Sequence, residues 1–213
     1  MKKAFTTAEL LISLVIIGAI ASLVVPTIVK DYNTRIRTAA IKDNYANIMA
    51  AIERACADEN VTYFSQTGYM QNGNSIKEFM NKYIRGVEKN SFAAGSVYRR
   101  FYNGNSYSPS SVRCNANLYF YTMQSGAALK AECNPVSNKP RCTFYIDTNG
   151  KGEPNRGGVD MFSFIIGADS NDPIVINSTV CRNSALGTNC INQLLINDWD
   201  LEKLWTETSA PRW

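Results

Sequence analysis

The chain has 213 residues, 45% of them hydrophobic and 19% charged, with a formal net charge of +4, a balance that suits one globular domain plus an extended element. It contains no histidine, which excludes Ser-His-Asp and Cys-His catalysis, His-ligated zinc and imidazole acid–base chemistry. Its Lys and Arg residues are scattered, without the dense block that marks a nucleic-acid groove, and no P-loop, GxGxxG or GxSxG occurs.

Lys2 and Lys3 open the chain, Thr6, Thr7 and Glu9 follow, and Leu10 to Val29 then runs twenty residues without a charge. That is about the ~20 residues a helix needs to cross hydrocarbon, and the lysines at its head put the N-terminus in the cytoplasm. Two plain readings compete. A secretory signal cut after Ala19-Ile20-Ala21 gives a product beginning at Ser22, although the polar insertion before the apolar run is awkward for it. A permanent single-span anchor carrying an extracytoplasmic binding or enzymatic domain keeps Met1. Neither explains Glu9, a carboxylate at the mouth of an apolar span, where charge is costly and usually functional.

The stretch KKAFTTAELLISLVIIGAIASLVVP resembles the N-terminal motif of type IV pilins and type II secretion pseudopilins. In that family a basic leader precedes a small residue, a phenylalanine, a glutamate four residues later, an aliphatic run and a proline. Here these are Lys2 and Lys3, Ala4 (usually glycine), Phe5, Glu9, Leu10 to Val25 and Pro26. The resemblance implies a leader at 1–4, a membrane and polymerisation helix at 5–29 and a globular pilin-like domain at 30–213. It implies a prepilin peptidase cutting between Ala4 and Phe5 and methylating the Phe5 amine. It further implies an inner-membrane precursor, an inner-membrane assembly platform and, as partners in a filament, copies of the chain and other pilins. Glu9 then pairs with the amine of a neighbouring subunit, because two opposite charges in low dielectric are tolerable where either alone is not. No enzymatic activity, metal or cofactor is called for.

Beyond the span, Ile41, Tyr45, Ile48, Ile52 and Cys56 recur at helical spacing, so the helix is expected to continue to about Cys56, kinked at Pro26. Ser75 with Glu78 reads as a capping box opening a helix from Ser75, with Gly86 just past its end. Residues 92–117 read as loop. The period then falls towards two, predicting strands at 117–123, 128–133, 142–147, 161–166 and 173–177 in an antiparallel meander. The expected fold is α+β, a long N-terminal helix packed on an antiparallel sheet, which is also the fold the resemblance implies.

FYIDTNGKGEPNRGGVDMFSFII is similar to a strand-loop-strand of some bacterial prepilin-type proteins. Asp147, Asn149 and Asp160 offer hard oxygens for Ca²⁺, as an acidic loop does in some major pseudopilins. Lys151, Arg156 and the spacing favour a turn-rich hairpin instead. The six cysteines contain no CxxC; behind an export signal they read as disulfides. Pairing Cys133 with Cys142 and Cys181 with Cys190 would leave Cys56 with Cys114, one of 15 possible connectivities. Trp199, Trp205 and Trp213 read as a binding face or, more simply, as packing aromatics. The stretch 196–205 is open between a strand and a short helix.

Overall fold

The computed structural model describes residues 6–84, 121–123, 125–135, 139–150, 152, 157–174 and 190–207, with backbone alone for 205–207. The chain divides into two compact units, Met1–Arg37 and Thr38–Trp213. Helix α1, Thr7–Asp58, contributes to both and runs through Pro26. The layout is the α+β one expected: a long apolar N-terminal helix followed by a four-stranded antiparallel sheet.

In the second unit, α1 buries Ile41, Asn44, Ile48, Ala51, Ile52, Ala55 and Cys56. Three- and four-residue steps put these side chains on one stripe. Tyr45, at the edge of the stripe, meets Phe164 edge-on with ring centroids 5.2 Å apart. Asn44 is a buried polar intrusion, satisfied by donating its Nδ2 to the Ala40 carbonyl at 2.7 Å. After α1, two short 3₁₀ turns at Phe64–Gln66 and Gly68–Met70 lead to α2, Gly73–Tyr83. The cap differs from expectation. Asn72 accepts from the N–H groups of Asn74 and Ser75 at 2.9 and 3.0 Å, so Ser75 is already the third helical residue and cannot open the helix. Asn reaches both of these orphan donors. The predicted apolar face, Ile76, Phe79, Met80 and Tyr83, is buried.

The sheet comprises β1 (Tyr121–Thr122), β2 (Ala128–Cys133), β3 (Cys142–Asp147) and β4 (Met161–Ile166), in that spatial order. The last three match the predicted strands. Of the outer two, residues 117–120 and 175–177 lie outside the described residues, although Pro173 forms a bridge with Ile166. Phe144 and Phe164 are direct cross-strand partners and stack with centroids 5.3 Å apart. With Phe64 and Phe79 they form the aromatic centre of the core. Such pairs add stability beyond the apolar area they bury.

Alternation predicts one wet face, yet the sheet is buried on both. Leu129, Phe144 and Phe164 face the core, while Lys130, Asp147, Met161 and Ser163 on the opposite face are also buried. Lys130 pairs with Glu132, Nζ to Oε1 2.7 Å. After β4, Asn171 ties the loop to the 3₁₀ region, accepting from Phe64 N–H at 2.7 Å and donating to the Thr62 carbonyl at 2.9 Å. Helix α3, Cys190–Ile196, ends in two left-handed residues, Asp198 and Trp199. Asp200 then caps α4, Leu201–Glu207, accepting from Lys203 N–H at 2.9 Å. That cap decides the stretch 196–205 in favour of a helix.

Candidate functional site: the N-terminal helix and a buried acid pair

The first unit is a helix whose apolar side chains have nothing of their own to pack on. From Leu10 to Val29 every large aliphatic side chain is between 45% and 77% exposed. A surface helix hides one stripe; one that is apolar all round requires an apolar surrounding. By length and composition α1 can cross a membrane. Its internal hydrogen bonding suits that surrounding. The three hydroxyls in the apolar run each donate to a carbonyl of the same helix: Ser13 to Glu9 at 2.7 Å, Ser22 to Ala19 at 2.8 Å and Thr27 to Leu23 at 3.4 Å. Hydrocarbon supplies no partners, so polar groups that enter it must arrive satisfied.

Glu9 sits at the head of this helix as half of a reciprocal cap. Thr6 donates its N–H and its Oγ1 to Glu9 Oε2, both at 2.9 Å, and Glu9 N–H donates back to Thr6 Oγ1 at 3.2 Å. The first helical bond, Leu10 N–H to the Thr6 carbonyl at 3.2 Å, follows. Sequence reasoning overlooked Thr6, although Thr6-Thr7-Ala8-Glu9 directly before an apolar run is a capping-box signature. The expected cleavage position between Ala4 and Phe5 lies outside the described residues.

In the second unit, Asp147 ends β3 and Asp160 immediately precedes β4; both are fully buried. Thr148 closes the hairpin base by donating its N–H to the Asp160 carbonyl at 2.8 Å. Gly150 is required twice over. Its φ is +63°, and a Cβ there would lie 2.6 Å from the Gly126 carbonyl oxygen. Asp147 Oδ1 accepts from Asn149 N–H at 3.2 Å, whereas Oδ2 is buried with no hydrogen-bond partner. Burial first, and then the neighbouring Asp160 charge, push the Asp147 carboxyl up to about 9. At neutral pH this side chain holds a proton. Among the described residues no group of three or more His, Cys, Asp or Glu side chains converges on a metal position. Asp147 and Asp160, two of the oxygen donors weighed for Ca²⁺ against a turn-rich hairpin, are thus brought to the hairpin base, and Asn149 donates its N–H to Asp147 there.

Cys133 and Cys142 are opposite one another across β2 and β3 and are joined by a disulfide, as expected. Cys190 is also disulfide-bonded, and Cys114 and Cys181 lie outside the described residues. The pairing of Cys56 with Cys114 is corrected: Cys56 is a buried free thiol. It belongs to the core stripe of α1, beside Asn171 Nδ2 at 3.9 Å. Burial raises its pKa, which keeps it protonated and poorly reactive. Trp199 packs on the core with its ring 5.3 Å from that of Tyr45, a packing role. The side chain of Trp205 and all of Trp213 lie outside the described residues.

Comparison of the chain with protein-family models, curated proteins and solved structures finds no match in any of the three.

Proposed function

We propose that this chain is a structural subunit, a prepilin or pseudopilin, of a type IV pilus or type II secretion-like filament. It is made as a single-pass inner-membrane precursor with its N-terminus in the cytoplasm. A prepilin peptidase cuts it before Phe5 and methylates the new amine, and an assembly platform moves the helix from lipid into a filament with other copies. The observation that carries this reading is the pairing of an exposed apolar helical stretch, Leu10 to Val29, with a single carboxylate, Glu9, at its head. Lipid and a bundle of aliphatic helices are similar solvents, so one surface serves as anchor and as polymerisation interface. The carboxylate then selects register, since a wrong axial offset leaves it and the partner's amine unpaired. Residues 30–213 form the extracytoplasmic part, which needs no catalytic group for this role.

Glu9→Ala is expected to leave the protein in the membrane fraction while abolishing filaments seen by electron microscopy of sheared surface material. Filaments at wild-type abundance from that variant would refute the register argument. A plain membrane-anchored domain would form no filaments with either residue.

A further inference from the structure

Thr6 gives both of its donors to one oxygen of Glu9. The N–H and Oγ1 end on Oε2, each at 2.9 Å, while Oγ1 accepts from Glu9 N–H at 3.2 Å. No hydrogen bond among the described residues reaches Oε1. A glutamate at a helix terminus is otherwise free to rotate about several bonds, and fixing it on association costs entropy. Here two of the three contacts tie the carboxylate to the residue three positions before it, which restricts its rotation and leaves its second oxygen open.

We propose that Thr6 is a positioning residue for assembly: it locks the Glu9 carboxylate through Oε2 and leaves Oε1 as the acceptor for a cationic amine on a second copy of this chain. The inference rests on the filament reading and adds a residue to its mechanism. Before assembly, the Thr6 donors supply the hydrogen bonds that a carboxylate entering the bilayer edge loses from water. During assembly, the arriving amine meets an acceptor already aimed, so the charge-assisted bond forms without reordering the side chain. The work is done by the hydroxyl, which both donates and accepts. Valine has the same shape and can do neither. Thr7 has the same chemistry one residue further on and makes no hydrogen bond to Glu9.

The test uses full-length Thr6→Val, Thr6→Ser and Thr7→Val, with mass spectrometry verifying an unchanged mature N-terminus. Amide hydrogen exchange at Glu9 in detergent micelles reads the cap itself. Filament yield, normalised to the membrane-bound subunit, reads assembly. Thr6→Val should speed Glu9 exchange by about fivefold, as loss of a helix cap does, and lower filament yield severalfold. Thr6→Ser should restore both, and Thr7→Val should leave yield unchanged. Faster exchange with wild-type yield would overturn the positioning role while leaving the filament reading intact. Equal losses from Thr7→Val and Thr6→Val would overturn it too, by showing that any hydroxyl near the cut suffices. A wild-type chain that never forms filaments would overturn both readings.

Discussion

Glu9 and Asp147 are two carboxylates in opposite surroundings. Glu9 stays accessible and collects donors from Thr6. Asp147 is fully buried, has one unpartnered oxygen and faces the charge of Asp160. Its carboxyl rises from the ordinary 3.8 to about 9, so across that window the folded chain keeps a proton that the unfolded chain releases. The contribution of this group is therefore fullest below about pH 4 and declines as pH rises towards about 9. The chain has no histidine, so no ordinary side chain obscures this slope between about pH 5 and 8. Urea unfolding at pH 5 and pH 8 should show wild type losing stability with rising pH. Asp147→Asn should flatten the loss and match or exceed wild type at pH 8. An unchanged slope would place the proton elsewhere. The raised carboxyl was hidden in the sequence, where Asp147 and Asp160 are thirteen positions apart in a Gly- and Asn-rich run. Only the β3–β4 register brings them to one hairpin base. Cys56 was misassigned for a related reason: cysteine spacing says nothing about which way a helix points its thiols.

Among the elements, the strands β2, β3 and β4 were legible because apolar residues alternate within short runs bounded by Gly, Asn, Pro and Asp. The burial of the second face was not legible, since Lys130, Asp147 and Ser163 are residues that alternation assigns to water. Helix α2 was found by its apolar face but misplaced at its start, because Ser75 and Asn72 are both good caps and only the fold chose Asn72. Helix α3 and the 3₁₀ turns are too short for periodicity to register. The β2–β3 hairpin is closed by Cys133–Cys142, nine residues apart. Changing both cysteines to serine should cost about 2–3 kcal/mol in urea unfolding, as expected for a short disulfide loop. Non-reduced peptide mapping should recover the Cys133–Cys142 crosslink and a Cys56 thiol that alkylates only after denaturation. Rapid alkylation of native Cys56 would contradict its place in the core.

At the scale of the whole molecule, the first unit cannot be stable alone in water and the second is built as an ordinary core. Exposing the aliphatic surface of Leu10 to Val29 works against folding at roughly 25 cal/mol per Å² of apolar area. A membrane or a bundle of like helices removes that penalty. The motif on which the filament reading rests is compact and local, from Lys2 to Pro26. The account turns on whether the chain is trimmed at the edge of its apolar helix, and mass spectrometry of the mature N-terminus measures that directly. The filament reading predicts a chain beginning at a methylated Phe5. A mature protein beginning at Met1 or at Ser22 would contradict it.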